Sequence, residues 1–399
     1  MKIELHLLQN FVPSNLNRDD TGSPKDCEFG GVRRGRISSQ CLKRAVREAF
    51  DEHRLFGDQT EDVLAARTKR LVDEAAKALV AGGKGEDESR KVLAFALQSA
   101  KLKVVEDNKT QYLLFLPRRT IRRLAEVVLK HWDALAVACA AHDESAEDGA
   151  KKKTKSADKK AAKEAVPKEV AKSIEETLED SGRTPDLALF GRMIADNPDW
   201  NVDAACQVAH AISTNRVSME FDFYTAVDDF RPSDNQGSDM MGTVAFQSSC
   251  FYRYSCVDVD ALRKNMGASE EEAVEALVKQ TIEAFVRATA YAIPTGKQNS
   301  MAAQNRPSYL LAVVRSSGTP QSLANAFVKP VRAHGDKSLV EASVEELERY
   351  LDRSLELWGD QGRVLACAEV DATGSTRPER VGTFDAWVTA IVQSSGAAA

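Results

Sequence analysis

Hydrophobic and polar residues alternate over residues 1–7, and this pattern predicts that the chain opens with a β-strand through about Gln9. Residues 13–26 are polar and rich in turn-forming residues, so we expect a loop there. A short extended run ends at Ile37, where Ser38 or Ser39 can cap a helix that continues to about residue 50. Helical spacing gives this helix an apolar face of Leu42, Ala45, Val46, Ala49 and Phe50, opposite a polar face of Gln40, Lys43, Arg44 and Arg47.

The middle of the chain changes to a helical pattern. Apolar residues recur at helical spacing between about residues 58 and 174, which predicts helices over 60–80, 89–102 and 120–141. An apolar run over residues 112–116 stops at Pro117 and fits either a strand or a buried turn. Residues 144–172 are rich in Lys and Ala, so we expect a mobile insert or a loosely held helix outside the core.

β character returns after Gly182, and residues 186–193 are expected to be extended, followed by a helix or helical turn at 204–212. Two aromatic segments, 221–229 and 243–257, flank a soft polar loop and predict a long β-hairpin arm over about residues 218–248. The remaining pattern predicts helices over 269–291, 322–331, 344–358 and 384–393, and strands over 309–315 and 363–370. Strands and helices that alternate around a helical insert place the chain in the α+β class.

Composition fits an ordinary folded protein with two or three domains, because 43% of the 399 residues are hydrophobic and 29% are charged. No apolar run approaches the roughly 18 residues that span a bilayer, and the first residues do not resemble a signal peptide. We therefore expect a cytoplasmic protein with no membrane partner. The seven cysteines are scattered and never spaced as CxxC, which favours a reducing compartment and argues against a zinc site.

One basic segment stands out against the net charge of −6. Residues 33–47 contain six Lys or Arg side chains and no acidic one. If a helix begins at Ser38 or Ser39, its free N–H groups, the positive end of its dipole and the Arg-rich turns meet at one place. Such a place suits a nucleic-acid backbone, and a solvated basic helix face gives the same pattern. Phe223 and Tyr224 in the predicted arm fit base stacking or ordinary strand packing equally well.

The sequence carries no Walker loop, GxSxG or HExxH motif, and its six histidines lie far apart. Cys41 has basic neighbours that would activate a thiol, but its place between the two faces of the predicted helix favours a packing role. The loop carboxylates of Asp19, Asp20 and Asp26 fit metal ligands, Asx-turns or partners for nearby arginines. We predict no catalytic residue, no metal site and no cofactor.

A series of short motifs resembles a known family. The motifs begin with Leu-Asn-Arg-Asp-Asp at 16–20, Phe-Gly-Gly at 29–31 and the segment 36–45. They continue in the family's order at residues 191–193, 209–214, 225–229, 251–254, 296–298 and 323–327. Through them the chain is similar to the CasC family of Cas-seven proteins, the crRNA-binding backbone subunits of the type I-E CRISPR surveillance complex Cascade. The resemblance is weakest over about residues 55–180.

The resemblance implies a hand-like molecule with a modified RRM-like, ferredoxin-like palm. Residues 1–55 and 186–399 would form the palm, residues 56–185 the helical fingers with their lysine-rich insert, and the hairpin arm the thumb. Several copies, together with the other Cascade subunits (the large and small subunits and those at the 5' and 3' ends of the crRNA), would assemble along one crRNA. They would hold its backbone and leave its bases free to pair with target DNA in antiviral defence.

The matching motifs also imply roles for individual residues. Those that would hold the RNA backbone are Arg18, Lys25, Arg36, Ser38, Gln40, Lys43 and Arg47, with Lys297 as a weaker member. Met193 would wedge against a base, and the thumb would carry Phe223, Tyr224, Thr225 and Met241. No motif covers the lysine-rich insert, where Lys151, Lys152, Lys153 and Lys155 either attract target DNA or only solvate the insert. The alternative function is a metal-dependent ribonuclease that cuts a paired target RNA with a loop aspartate.

Overall fold

The computed structural model describes residues 1–100, 102–147, 166–179, 184–194, 198–226, 240–267, 272–359, 362–369, 375 and 377–396. The chain forms two compact units. The first unit comprises Met1–Leu55, Cys206–Ala261 and Glu275–Ala399, and the second comprises Phe56–Ala205 and Leu262–Val274. None of the helices in the described ranges is long and apolar enough to cross a membrane.

Twelve strands and thirteen α-helices occur in the described ranges. The strands are β1 Lys2–Ser14, β2 Asp26–Phe29, β3 Val32–Ile37, β4 Ala65–Thr68, β5 Leu114–Pro117, β6 Cys206–Val208, β7 Ala211–Ser213, β8 Glu220–Ala226, β9 Met240–Asp258, β10 Tyr309–Arg315, β11 Arg363–Ala368 and β12 Glu379–Arg380. The helices are α1 Ser39–Glu52, α2 Thr60–Val63, α3 Leu71–Ala81, α4 Glu86–Ser99, α5 Arg118–Lys130, α6 Trp132–Glu147, α7 Lys168–Glu179, α8 Pro185–Phe190, α9 Val259–Asn265, α10 Glu272–Tyr291, α11 Gln298–Met301, α12 Leu339–Trp358 and α13 Phe384–Gly396.

The first unit is built on a ten-stranded mixed sheet. Its order is β12-β11-β10-β1-β9-β7-β3-β2, and β6 and β8 also pair with β9. The β11–β12 pair is parallel, and the other described pairs of this sheet are antiparallel. A large sheet together with many helices agrees with the predicted α+β class. The more detailed assignment of an RRM-like palm, fingers and thumb stays a prediction.

Alternate residues of β1 and β9 are buried on opposite faces of this sheet. On one face Leu8 and Tyr252 pack with the apolar side of α12, including Leu347 and Leu351. On the other face Phe11, Ile37 and Phe251 pack with Leu42 of α1. Burying an apolar side chain of this size contributes about 1.5–3 kcal/mol. The apolar face of α1 therefore attaches that helix firmly to the sheet and leaves its polar face outward.

The second unit is largely helical, with one small sheet. The helix predicted over residues 60–80 is interrupted by β4, which pairs with β5 in an antiparallel ladder. The buried carboxylate of Asp186 accepts the backbone N–H of Ala65 at the start of β4, at 3.0 Å. A contact this distant in sequence overrides the local helical pattern. The helix predicted over 120–141 is likewise divided at His131 into α5 and α6.

Three other predicted elements are wrong. Residues 186–193, expected to be extended, begin with the helix α8, which is buried on all sides. In so short a segment the apolar run 187–190 has no periodicity that separates helix from strand. Residues 204–212, expected to be helical, form β6 and β7, because both segments pair with β9. Residues 322–331 contain only the 3₁₀ turn Ala324–Phe327. The two strands of the arm are confirmed as β8 and β9, and β10 matches its predicted bounds.

Candidate nucleic-acid interface

Helix α1 provides the frame of the candidate interface in the first unit. Ser38 is its N-cap, and the Ser38 hydroxyl accepts the Cys41 backbone N–H at 3.3 Å. The five residues predicted to face the core, Leu42, Ala45, Val46, Ala49 and Phe50, are all buried. On the opposite side Gln40 and Arg44 are exposed, and Lys43 and Arg47 are half-buried. The predicted separation of the two faces is confirmed.

Three segments meet at the start of α1. Asn17 accepts the Ser38 backbone N–H through its side-chain oxygen at 2.8 Å, and its own carbonyl accepts the Lys25 N–H at 2.8 Å. The Lys25 carbonyl in turn accepts the Arg36 N–H at 2.9 Å. These bonds hold the polar loop, the start of β2 and the end of β3 together. Lys25, Arg36, Ser38 and the first turn of α1 therefore lie close to one another.

The N-terminal N–H groups of α1 are less available than the sequence suggested. The Ser39 N–H donates to Nδ1 of His210 at 3.0 Å, and the Cys41 N–H donates to the capping hydroxyl of Ser38. Two of the N–H groups that were expected to be free are therefore engaged within the protein.

The basic segment also contributes fewer outward charges than its six residues suggest. Arg34 is fully buried, and its guanidinium donates to the carbonyls of Ser213, Thr214, Phe327 and Val328. Burial lowers the Arg34 pKa from its ordinary value. Arg33 forms an ion pair with Asp26, and Arg44 forms one with Glu48 at 2.7 Å. Arg33, Arg34 and Arg44 are thus engaged within the protein.

Two open cavities border α1 on the side that carries Ala45 and Glu48. Arg18 and Arg44 line a cavity of about 350 Å³ together with Asn17. Lys297 lines a larger one of about 1160 Å³, next to Ala45 of α1. Lys297 has a left-handed backbone conformation, with φ of 54°, in the turn that precedes α11. Arg18 and Lys297 therefore lie beside α1 on the side of Ala45 and Glu48, and Gln40 and Lys43 line neither of these two cavities.

The loop carboxylates and Cys41 have ordinary structural surroundings. The Asp19 carboxylate accepts hydrogen bonds from Thr21 N–H, Thr21 O–H and Ser23 N–H, which lower its pKa. Partial burial raises the pKa of the Cys41 thiol, opposite to what an activated cysteine requires. Within the described residues, no group of three or more His, Cys, Asp or Glu side chains is placed to hold a metal ion.

Strand β8 of the hairpin arm is exposed along its whole length, and in the paired part of β9 Met240, Met241 and Thr243 are exposed whereas Ala245 is buried. Phe223 is 62% exposed and Met241 is 67% exposed. Phe223 lies opposite Thr243, and Thr225 lies opposite Met241, so these four side chains share one face of the ribbon. Two further exposed apolar residues, Phe221 and Met240, were not selected from the sequence, although the two-residue spacing of Phe221 and Phe223 signals a shared face.

Tyr224 lies on the other face of the arm, opposite Gly242. A Cβ atom added to Gly242 would lie 2.5 Å from the Tyr224 ring, so the ring rests directly over the glycine backbone. This contact holds one side of the ring and leaves Tyr224 40% exposed. The arm therefore offers a supported aromatic surface on one face and freer apolar side chains on the other.

Met193, in the second unit, is 87% exposed although methionine is usually a core residue. The preceding Arg192 exchanges backbone hydrogen bonds with Val202 at 2.9 and 2.8 Å. Its buried guanidinium donates to the carbonyls of Trp200 and Phe115. Gly191 has φ of +72°, and a Cβ there would lie 2.7 Å from the Val202 oxygen. The contacts of Gly191 and Arg192 thus fix the backbone next to Met193, whose side chain is exposed to solvent.

Two groups of sequence predictions fall outside the described residues. These are the loop of the arm over residues 227–239, and the lysines Lys151, Lys152, Lys153 and Lys155 of the insert.

The fold is that of a mixed α/β protein. Among solved structures, it is similar to chains of RNA-guided complexes. One solved chain, described as "CRISPR RNA-guided surveillance complex, pre-nicking", has 32% sequence identity and a TM-score of 0.81, with 98% of this chain and 99% of that chain covered. A second, described as "CRISPR RNA-guided surveillance complex", has 28% identity and a TM-score of 0.72 at the same coverage. No curated protein matches this sequence. The chain belongs to the CT1975-like protein family, which matches residues 3–390.

Proposed function

We propose that this protein is a Cas-seven-type, crRNA-binding backbone subunit of a CRISPR surveillance complex, and specifically the CasC-type subunit of a type I-E Cascade. The observation that carries the proposal is its similarity, over almost the full length of both chains, to a chain of a CRISPR RNA-guided surveillance complex. The basic, outward side of α1 supplies a matching chemistry.

The side chains around α1 suit a phosphodiester backbone. Lys and Arg neutralise phosphates irrespective of sequence, and hydroxyl and amide groups such as those of Ser38 and Gln40 add hydrogen bonds. Arg18, Lys25, Arg36, Lys43 and Arg47 lie along the first turns of α1 or in the segments bonded to them. A backbone-directed grip leaves the base edges free, as a guide RNA requires.

The exposed arm supports a role in assembly. Several copies would line up on one crRNA, with the arm acting as the thumb that reaches over the RNA and Met193 acting as a wedge against a base. Exposed aromatic and methionine side chains at Phe223, Tyr224 and Met241 suit contacts with bases or with a neighbouring copy. The neighbouring copies, the other Cascade subunits and target DNA are the partners that we propose.

We propose no catalytic role. Asp19 and Asp26, two of the three loop aspartates that a ribonuclease mechanism would use, are engaged by Thr21 and Ser23 and by Arg33, respectively. Incubation of the assembled complex with a paired RNA target and Mg²⁺ should leave the target intact. Cleavage that disappears in Asp20→Ala would instead favour the ribonuclease.

The direct test compares RNA binding by two double variants. Lys43→Ala with Arg47→Ala should weaken binding for all sequences alike and should reduce the slope of log K against log salt by about 1.4, as expected for two contacts with single-stranded RNA. The matched control, Arg349→Ala with Arg353→Ala, removes two charges from α12 and should bind like the wild type. Co-purification with RNA of uniform length would agree with the proposal. Equal losses in both double variants, or a loss confined to one RNA sequence, would contradict it.

A further inference from the structure

His210 lies beside the start of α1 for reasons of sheet register. It occupies the short connection between β6 and β7, and β7 pairs with β3 so that Ala211 lies opposite Ile37. The residue before Ala211 therefore lies next to the residues that follow Ile37. There the Ser39 backbone N–H donates to Nδ1 of His210 at 3.0 Å.

This hydrogen bond requires the neutral imidazole. An acceptor at Nδ1 means that the single proton of the neutral ring is on Nε2, because a ring nitrogen that carries hydrogen cannot accept. Protonation would place an N–H group at Nδ1, directed at the Ser39 N–H and at the positive end of the α1 dipole. Lys25, just before β2, and Arg36, on β3, are the charged groups that act on the ring. Partial burial and then these two charges lower the His210 pKa.

We infer that His210 is a positioning residue for the RNA-binding surface: in its neutral form it holds the first turn of α1, and with it Ser38, Gln40 and Lys43, and protonation releases that turn. This inference rests on the proposed function.

The other bonds at this corner do not replace the His210 contact. The Ser38 N–H is held by Asn17, and the Cys41 N–H is held by Ser38. The hydrogen bond from the Ser39 N–H to His210 connects the β6–β7 connection to the start of α1. Loss of a capping interaction of this kind corresponds to about a fivefold change in an equilibrium constant. We expect a loss of RNA affinity of that size, because the three RNA-binding side chains depend on the direction of this turn.

Two substitutions separate the two ring nitrogens. His210→Asn keeps an acceptor near the position of Nδ1, and His210→Gln keeps a polar group near the position of Nε2. Affinity for a fluorescein-labelled single-stranded RNA would be measured by anisotropy between pH 8 and pH 5.5. Circular dichroism and thermal melting of each variant would be followed in parallel.

At pH 8 we expect wild-type affinity for His210→Asn and about a fivefold loss for His210→Gln. As the pH falls below the ordinary histidine value of 6.5 and through the lower pKa of His210, wild-type binding should weaken relative to His210→Asn. The Asn variant corrects for every other titrating group. Three results would overturn the inference: wild-type binding that strengthens relative to His210→Asn on acidification, affinity kept in His210→Gln but lost in His210→Asn, or variants that differ only in melting temperature. Absence of RNA binding in the wild type would instead contradict the proposed function.

Discussion

Arg34 offers a severe test of the fold, because it is a fully buried cation with only neutral partners among its described contacts. Its guanidinium donates to Ser213 and Thr214 at 3.0 and 2.7 Å, and to Phe327 and Val328 at 2.7 and 3.2 Å. Arg34→Met keeps much of the length and apolar volume but removes every donor. Four carbonyls at the end of β7 and after the 3₁₀ turn then lose their common partner.

The expected change in the free energy of unfolding follows from these contacts. A buried polar group left without its partner costs about 1–3 kcal/mol. The Thr214 carbonyl keeps the Val331 N–H at 2.9 Å, so the other three carbonyls would together cost about 3–9 kcal/mol. Removing the guanidinium offsets part of this cost, because burial already disfavours its charge and lowers its pKa. We therefore expect Arg34→Met to lower the free energy of unfolding by about 3 kcal/mol.

The neighbouring arginine provides the matched control. The Arg33 side chain is 65% exposed and forms a surface ion pair with Asp26, so Arg33→Met should cost only about 0–1 kcal/mol. Urea denaturation of both variants, compared at equal slope with denaturant, measures the difference. If the two variants agreed within about 1 kcal/mol, Arg34 would not connect these segments in the way described.

Three further predictions concern RNA and DNA binding. Gly242→Val should push the Tyr224 ring off its support and weaken RNA binding by up to about 1–3 kcal/mol, the value of one stacked base, while Gly382→Val, at an open position, should have no such effect in the same anisotropy assay. Phe223→Ala with Tyr224→Ala should leave a folded protein that forms shorter arrays on RNA, measured by electron microscopy and nuclease protection. Slower association of the complex with target DNA at low salt, but not at near-physiological salt, is expected when Ser replaces Lys151, Lys152, Lys153 and Lys155.

Each of these predictions has a clear contrary result. Unchanged affinity in Gly242→Val would mean that the position of the Tyr224 ring does not matter for RNA. Arrays of normal length with an unchanged protection pattern would remove the arm from assembly. If the wild type and the lysine variant associated with DNA at equal rates at both salt concentrations, the lysine-rich insert would have a solvating role only.

Local periodicity predicted the parts of the fold that are determined locally. The two faces of α1 follow from helical spacing, and the arm follows from aromatic strands on either side of a polar loop. The helix predicted over residues 204–212 was wrong, because these residues are held extended by pairing with β9, about 45 residues later in the chain. The burial of Arg34 could not be predicted from the local sequence either, since its acceptors lie 179 to 294 residues away.

The candidate site shows the same division. Lys43 and Arg47 were found because they share one helix face, and their placement needed nothing beyond the spacing within α1. The His210 contact depends on which residue of β7 lies opposite Ile37, and that register is a property of the folded sheet. The support under Tyr224 likewise required the pairing of β8 with β9 to be known residue by residue.

The number of paired residues in β8 and β9 sets how far the arm extends. Strand β9 continues without interruption from the exposed ribbon, where it pairs with Glu220–Ala226, into the sheet, where it pairs with β1 as far as Asp258. Seven paired residues extend the arm by roughly 23 Å, and each added residue pair would extend it by about 3.3 Å. Reach therefore changes in discrete steps. An odd step interchanges the faces that carry Phe223 and Tyr224, whereas an even step of about 6.6 Å preserves them, so related chains are expected to differ in arm length by even numbers of residues per strand.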